Sequence, residues 1–162
     1  MIHYVKGNLL DSNCDYICHQ VNCQGVMGSG IARQIRERWP EVYDSYRRAW
    51  TKGMQEDRGY DTSVLLGKVD VARITGTEQY VINMFAQNAC GYDGARYTSY
   101  DAFSDTLVGV RLVVPFGKSI GFPKNIGCGL GGGNWTIIST LIEIMLGEDY
   151  DVYIYELEEQ HD

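Results

Sequence analysis

The chain has 162 residues, of which 44% are hydrophobic and 22% are charged, and this ordinary usage argues against a disordered or fibrous protein. Its length predicts one domain over residues 1–162 with a single core. Fourteen basic and 21 acidic residues give a net charge of −7, which disfavours a long nucleic acid as partner. A small phosphate ligand stays possible, because backbone N–H groups bind anions whatever the global charge.

The cysteines and the N-terminus point to a reducing compartment. The five cysteines include no C-x-x-C pair, so neither a disulfide framework nor a standard zinc site is indicated, and we expect no metal and no cofactor. The N-terminus lacks the shape of a signal peptide, and no apolar run approaches the roughly 20 residues of a membrane span. We therefore expect a soluble, cytoplasmic protein without a membrane partner, with a monomer as the favoured state.

The first part of the chain alternates short strands with amphipathic helices. Strands are predicted over 2–6 and 16–21, which are rich in β-forming residues. Ile31, Ile35 and Trp39 recur at helical spacing, and Pro40 ends or restarts that helix before a second helical piece. Residues 51–61 are polar and indicate a surface connection.

The same alternation continues to the end of the chain. The remaining predicted elements are strands over 65–74 and 80–85 joined as a hairpin, a loop over 87–98, a helix from Ser99 to Val114, a strand over 119–123, a helix capped by Asn134, a strand over 151–157 and an acidic tail over 158–162. This order predicts a three-layer α/β domain with a central mixed β-sheet.

Two glycine clusters each stand between a strand and a helix. The first contains Gly25, Gly28 and Gly30, and the second has five glycines over 127–133. A loop of this kind aims unpaired N–H groups and the positive end of a helix dipole at one point. The Rossmann fingerprint fails because Arg33 stands where its third glycine belongs, and neither loop continues into the Walker lysine. Two such loops without a lysine predict a diphosphate held between two backbone clamps.

Three segments in this order carry a resemblance to a known family. They are Val5–Leu10, His19–Ala32 and Pro123–Leu130, and with them the chain resembles a macrodomain, closest to the branch of small proteins that process ADP-ribose 1″-phosphate. The resemblance implies that residues 22–32 hold the distal ribose and its 1″ substituent, and that residues 127–133 hold the diphosphate.

The resemblance and the two loops together define a set of ligand-binding candidates. They are Asn8, Leu9, Gly25, Met27, Gly28, Ser29, Gly30, Ile31, Ala32, Gln87, Arg96, Ile126, Gly127, Cys128, Gly129, Leu130, Gly131, Gly132, Gly133, Asn134 and Trp135. Asn8 stands where the family has an aspartate that binds the adenine amino group. Its amide could accept a hydrogen bond from the same amine, or Asn8 could be a turn residue only.

The catalytic candidates are Asn22 and His19. Asn22 matches the asparagine that contacts the distal ribose in macrodomains. Many members have a histidine where this chain has Met27, and His19 is the proposed substitute, as a base, nucleophile or acid toward the 1″-phosphate. The alternative for His19 is a satisfied histidine in a buried strand.

A few further residues are weaker candidates for the site. Arg96 could bind a terminal phosphate or be an exposed loop residue. Trp135 and Tyr153 could contact the adenine face or belong to the core, and Gln87 and Asn88 could line the ribose pocket.

The leading functional hypothesis is a phosphatase of ADP-ribose 1″-phosphate that also binds ADP-ribose. The alternatives are a non-catalytic binder of ADP-ribose or an NAD-derived signal, and a hydrolase of protein-linked ADP-ribose. A related branch performs the last reaction with a lysine in the middle loop and an aspartate after the second glycine run. Here Gly131 takes the aspartate position, and no lysine lies between Lys68 and Lys118, which disfavours that route.

Overall fold

A computed structural model describes residues 2–56, 61–89, 96–129 and 131–158. Its strands are β1 (Ile2–Lys6), β2 (Tyr16–Asn22), β3 (Val69–Arg73), β4 (Tyr80–Gln87), β5 (Ser119–Pro123) and β6 (Asp151–Glu156). Its α-helices are α1 (Gly30–Arg38), α2 (Pro40–Glu56), α3 (Tyr100–Val113) and α4 (Trp135–Leu146), and short 3₁₀ helices cover Leu9–Asp11 and Thr62–Leu65.

The strands form one mixed sheet in the order β1-β6-β5-β2-β4-β3. All neighbouring pairs are parallel except β3 and β4, which form the expected antiparallel hairpin. Helices α1 and α2 cover one face of the sheet, and α3 and α4 cover the other. The predicted three-layer α/β fold with a mixed sheet is confirmed.

Because successive side chains of a strand point to opposite faces, one sheet contributes residues to the hydrophobic cores on both of its sides. In β4, Ile82 and Met84 pack toward α3 and α4, whereas Val81 and Phe85 pack toward α1 and α2. All four side chains are fully or almost fully buried. A central strand is therefore apolar on both faces, and this is why β2 and β4 are mostly apolar in the sequence.

Two predicted boundaries were wrong. Residues 51–56, expected to be a surface connection, continue α2, because Gly53 and Met54 turn a buried side toward Leu65. The strand expected from residue 65 begins at Val69, because Gly67 adopts a φ of 87° and ends the preceding 3₁₀ helix in a turn. Residues 57–60, 90–95 and 159–162 of the predicted loops and tail lie outside the described residues.

The described residues contain neither a candidate membrane span nor a group of metal-ligating side chains. No helix there is both long and apolar enough to cross a bilayer. No three histidine, cysteine, aspartate or glutamate side chains in those same ranges lie close enough together to hold a metal ion.

A network of hydrogen-bonded polar side chains joins β2, β4 and β3 on the face of the sheet that α2 covers. His19 pairs with Asn83 across β2 and β4, and its Nε2 donates a hydrogen bond to Asn83 Oδ1. Asn83 Nδ2 donates to Asp70 Oδ2 at 3.0 Å, and Ser45 Oγ donates to the same oxygen at 2.8 Å. Burial lowers the pKa of His19 to about 4, because the charged imidazolium would have to be desolvated.

This pKa predicts acid-sensitive stability. The unfolded chain takes up a proton at His19 below its ordinary pKa of 6.5, whereas the folded chain does so only near pH 4, so stability is lost as pH falls through this window. We expect His19 to account for a loss of about 2 kcal/mol in the free energy of unfolding between pH 7 and pH 5. Urea unfolding at the two pH values measures it. The His19→Gln variant should lack this loss, and a control His3→Gln variant should keep it; an equal loss in all three proteins would contradict the assignment.

Candidate functional site

A cavity of about 640 Å³ lies at the edge of the sheet where the parallel strands end. Both glycine loops line it, as the sequence predicted. The sheet order sets the layout, because the segments that follow β1, β6, β5 and β2 and the end of β4 come one after another along this edge. Four strand intervals separate β1 from β4, so the edge is about 19 Å long. The site therefore suits an elongated ligand.

Hydrogen bonds within the loop after β2, and from Tyr46 of α2, hold this loop in place. Asn22 Oδ1 accepts hydrogen bonds from Gln24 N–H at 2.9 Å and from the Tyr46 hydroxyl at 2.9 Å, and Asn22 Nδ2 donates to the Val26 carbonyl at 3.1 Å. The Gly25 N–H donates to the Tyr46 hydroxyl at 3.0 Å. One amide hydrogen of Asn22 has no partner among the described residues, so this side chain can donate to a ligand but has no basic atom.

Helix α1 begins at this loop without a side-chain cap. Ser29 is its N-cap residue, and the Ser29 side chain makes no capping hydrogen bond, whereas Ser99 and Asn134 cap α3 and α4. The N–H groups of the first turn have no intrahelical acceptor in any helix. At α1 these groups belong to residues 30–32, which line the cavity, so they are open to an anion.

In the second glycine loop, some N–H groups donate to carbonyls of the protein and others have no partner among the described residues. The N–H groups of Cys128, Gly132 and Gly133 donate to the carbonyls of Asn125, Gly129 and Gly127, and these three donor residues do not line the cavity. Gly127, Gly129 and Gly131 line the cavity, and their N–H groups have no partner among the residues that the structure describes. Some amides of the loop thus hold it together, and the residues whose amides are unpartnered line the cavity.

A side-chain network joins the ends of β2 and β4 to this loop. Gln20 Nε2 donates to Gln87 Oε1 at 2.6 Å and to Thr98 Oγ1 at 2.8 Å, and Thr98 Oγ1 donates to the Gly127 carbonyl at 2.6 Å. The network leaves no room beside the loop, because a Cβ added at Gly131 would lie 2.4 Å from Thr98 Oγ1.

The β1–β6 end of the cavity combines apolar walls with polar groups. Leu9, Tyr155 and Leu157 line it together with Asn8 and Glu156. Glu156 Oε2 pairs with Lys124 Nζ at 3.2 Å and with Lys6 Nζ at 3.6 Å. These two lysines lower the pKa of the Glu156 carboxyl. The lysines are thus engaged with a carboxylate at this end, and the glycine loops carry no lysine or arginine.

The structure brings most of the predicted ligand-binding residues together. Those that line the cavity are Asn8, Leu9, Asn22, Met27, Gly28, Ser29, Gly30, Ile31, Ala32, Gln87, Ile126, Gly127, Gly129 and Gly131. Those that do not line it are His19, Gly25, Arg96, Cys128, Gly132, Gly133, Asn134 and Trp135. Leu130 lies outside the described residues.

The prediction that His19 faces the ligand does not match its position. Strand alternation in β2 sends Gln20 toward the cavity network and His19 to the α2 face, where the ring is fully buried. Arg96 also lies elsewhere, with its guanidinium stacked 4.4 Å from the centre of the Tyr100 ring in a separate surface groove.

The other outlying candidates have structural roles. Gly25 packs against Arg47 and Trp50, and Gly132 and Gly133 close the second loop through their N–H groups. Cys128 Sγ donates to the Ile126 carbonyl, Asn134 caps α4, and Trp135 packs against the α3–α4 core. Tyr153 stacks on His3, and Asn88 accepts hydrogen bonds from Gln24 and Thr62.

Sequence reasoning missed the residues supplied by the ends of β5 and β6. Lys124, Asn125, Tyr155, Glu156 and Leu157 line the cavity and were not among the candidates. The signal was present, because parallel strands place their carboxyl ends at one edge, where ligands bind in open α/β sheets.

No protein-family model matches the sequence. A DNA ADP-ribosyl glycohydrolase of Mycobacterium tuberculosis is 36% identical over 86 residues, which cover 51% of this chain and 22% of that protein. The DNA ADP-ribosyl glycohydrolase of Thermus aquaticus is 26% identical over 160 residues, covering 96% of this chain and 41% of the relative. An ADP-ribose 1″-phosphate phosphatase of Scheffersomyces stipitis is 38% identical over 73 residues, covering 41% of this chain and 39% of the relative. The chain thus spans less than half the length of these relatives.

Solved structures share the fold over almost the whole chain. The macrodomain of Thermus aquaticus DarG superposes with a TM-score of 0.72 at 25% identity, covering 96% of this chain and 98% of that chain. A protein of unknown function from Bacteroides thetaiotaomicron superposes with a TM-score of 0.76 at 26% identity, covering 97% of this chain and 98% of that chain. Thermosipho africanus DarTG, solved in complex with ADP-ribose, has the same fold, with a TM-score of 0.75 at 19% identity, covering 99% of this chain and 43% of that chain.

The packing around Gly131 predicts that this glycine stabilises the second loop. A Cβ at Gly131 would lie 2.7 Å from the Gly127 carbonyl oxygen as well as close to Thr98. The loop therefore has to shift in the Gly131→Ala variant. We expect a loss of about 1–3 kcal/mol in the free energy of unfolding, as for other overpacked sites, measured by urea unfolding.

Gly28→Ala is the matched control for this variant. A Cβ at Gly28 meets nothing within 4 Å, so the free energy of unfolding should stay the same or rise slightly. Equal stability of the two variants would contradict the packing argument.

Proposed function

Because the chain is a macrodomain, we propose that it binds ADP-ribose or an ADP-ribose derivative in the cavity at the carboxyl edge of the sheet. The observation that carries the proposal is the convergence of unpartnered N–H groups from both glycine loops on one cavity. The edge, about 19 Å long, also accommodates a base, two riboses and a diphosphate laid end to end. A cavity of about 640 Å³ is within the ordinary range for a nucleotide-sized ligand.

The proposal gives each part of the ligand one stretch of the edge. The apolar walls at the β1–β6 end take the flat faces of the base. The N–H groups of Gly127, Gly129 and Gly131, together with the first turn of α1, surround the diphosphate. The distal ribose then lies beside Asn22 and Gln87, where the free amide hydrogen of Asn22 donates to a ribose hydroxyl. This order follows the strand order β1-β6-β5-β2-β4.

Anion binding by the main chain explains how an acidic protein holds a diphosphate. The chain carries a net charge of −7, so long-range electrostatics repel the ligand. Backbone amides act at hydrogen-bond distance, and hydrogen bonds to charged oxygens are roughly twice as strong as neutral ones. Short-range donors therefore offset the unfavourable field.

A steric probe of the second loop tests the binding proposal. A side chain at Gly129 enters open space beside the unpartnered amides, since nothing lies within 4 Å of a Cβ there. We expect Gly129→Val to weaken ADP-ribose binding at least about tenfold, or 1.4 kcal/mol, while the unfolding temperature stays close to that of the wild type. Calorimetric titration with ADP-ribose measures the affinity.

Thr51→Val is the control, because it places a valine on the exposed side of α2 away from the cavity. Its affinity for ADP-ribose should equal that of the wild type. Wild-type protein that ignores millimolar ADP-ribose would remove the proposal.

Hydrolysis of ADP-ribose 1″-phosphate is the second candidate function. It is supported by the 38% identity over 73 residues to a phosphatase of that substrate. Asn22 would orient the distal ribose, and the α1 amides would stabilise the charge that develops on the phosphate oxygens. The described residues that line the cavity around Asn22 and the start of α1 are neutral. A proton therefore has to come from water or from the phosphate itself, which titrates near pH 6.

Phosphate release from ADP-ribose 1″-phosphate tests this second candidate. Asn22→Asp keeps the acceptors for Gln24 and Tyr46, removes the amide donor and places a negative charge beside the substrate phosphate. We expect its kcat/KM to fall at least about a hundredfold. Asn13→Asp adds the same charge at an exposed position outside the cavity and should leave kcat/KM unchanged.

A parallel assay with ADP-ribosylated DNA asks whether the protein shares the activity for which the Mycobacterium tuberculosis relative is named. Release of ADP-ribose from DNA without release of phosphate from the 1″-phosphate would contradict the phosphatase candidate in favour of that activity.

A further inference from the structure

Helices α1 and α2 carry a local positive charge that the composition of the whole chain does not show. Residues 33–52 include six basic and three acidic residues, a net charge of +3, so the rest of the chain carries a net charge of −10. The net charge of the chain disfavours a long nucleic acid spread over its surface, whereas this segment attracts a short anionic stretch. The α1–α2 layer therefore differs electrostatically from the rest of the molecule.

Two arginines of this layer stack on aromatic rings and have no carboxylate partner among the described residues. Arg36 of α1 is exposed, and its guanidinium lies 4.3 Å from the centre of the Tyr43 ring. The Arg47 guanidinium lies 4.7 Å from the centre of the Trp50 ring. Tyr43, Arg47 and Trp50 recur at i, i+4 and i+7, so they lie along one side of α2. We call Arg36, Tyr43, Arg47 and Trp50 the arginine–aromatic stripe.

The arginine–aromatic stripe adjoins the first glycine loop. Arg47 Nη1 donates a hydrogen bond to the Gly25 carbonyl at 2.9 Å, and Trp50 Nε1 donates to the Cys23 carbonyl at 2.7 Å. Both carbonyls belong to the loop after β2, whose next residues, 26–32, line the cavity. In the proposed layout the distal ribose lies at this loop. A group linked to the 1″ carbon of that ribose therefore leaves the cavity on the side of the stripe.

On these grounds we propose that the arginine–aromatic stripe binds the single-stranded nucleic-acid part of a ligand in which ADP-ribose is linked to a nucleic acid, and this inference rests on the proposed binding of ADP-ribose in the cavity. Guanidinium groups bind phosphates, and bases stack on aromatic rings and on guanidinium planes. From Tyr43 to Trp50 the stripe follows α2 for about 10 Å, at a rise of about 1.5 Å per residue. That length corresponds to about three nucleotides at a spacing of about 3.4 Å.

The aromatic rings favour this partner over an acidic peptide. Guanidinium groups bind carboxylates as well as phosphates, so the two arginines by themselves fit either kind of chain. An acidic side chain has no flat ring to stack on Tyr43, on Trp50 or on a guanidinium plane, whereas every base has one. An acidic peptide would therefore leave half of the stripe without a specific contact.

The experiment is a fluorescence anisotropy titration of the full chain. The probe is a labelled single-stranded DNA of about eight nucleotides that carries one ADP-ribose, and its integrity is checked by electrophoresis after each titration. Unlabelled ADP-ribose and an ADP-ribosylated glutamate-rich peptide compete with the probe. Titrations at several salt concentrations give the number of phosphates that the protein neutralises, because each one adds about 0.7 to the slope of log affinity against log salt for a single strand.

The test variant is Arg36→Gln, and the control is Arg73→Gln. The first removes one charge of the stripe and leaves the hydrogen bonds of Arg47 and Trp50 to the loop in place. The second removes the same charge at the opposite edge of the sheet, because Arg73 pairs with Tyr80 at the beginning of β4. Thermal unfolding of each protein reports whether the fold is kept.

We expect the wild type and Arg73→Gln to bind the ADP-ribosylated oligonucleotide at least about tenfold more tightly than ADP-ribose. Arg36→Gln should bind the oligonucleotide about three- to tenfold more weakly, with a salt slope that is shallower by about 0.7, and should bind ADP-ribose as the wild type does.

Three results would overturn the inference and leave the binding proposal standing. They are equal affinity of the wild type for the oligonucleotide and for ADP-ribose, equal losses in the two variants, and tighter binding of the glutamate-rich peptide than of the oligonucleotide. Binding of none of the three ligands would overturn both proposals.

Discussion

The structure depends on one constraint, which is that main-chain N–H groups stay without protein partners at the carboxyl edge of the sheet. A buried N–H without an acceptor costs about 1–3 kcal/mol, so folded chains normally satisfy such groups. Here Gly127, Gly129 and Gly131 leave theirs open, and α1 begins without the side-chain cap that α3 and α4 have. The residues that carry these groups all line one cavity, so a ligand or water has to supply the acceptors.

The rest of the fold holds these donors in place. The Gln20 and Thr98 side chains tie the second glycine loop to the ends of β2 and β4, and Tyr46 holds the first loop through Gly25 and Asn22. Two separate loops are thus fixed to the same rigid sheet. A pre-organised set of donors loses little entropy when a ligand binds, which is how neutral amides can bind a diphosphate tightly.

The sequence predicted the sheet and the loops because both have strong local signals. Short segments rich in β-forming residues and glycines between a strand and a helix depend only on neighbouring positions. The orientation of His19 could not be predicted in the same way. Neighbours in a strand point to opposite faces, and in a sheet covered on both sides nothing local says which face meets the site. The end of β6 could be expected at the carboxyl edge, but the position of Tyr155 and Glu156 along that edge depends on which strands are neighbours, which no local pattern shows.

The charge distribution along the cavity bears on what chemistry the site supports. Its titratable lining groups, Lys124, Tyr155 and Glu156, lie at the β1–β6 end, and the described residues at the other end are neutral. Asn22 cannot act as a base there, because its side chain is a neutral amide, and the amide oxygen already accepts hydrogen bonds from Gln24 and Tyr46. A substrate that brings its own titratable oxygens, such as a phosphate monoester, can react at a neutral site with bound water. A glycosidic bond offers no such group, so its hydrolysis needs an acid or base that the described lining at that end does not supply.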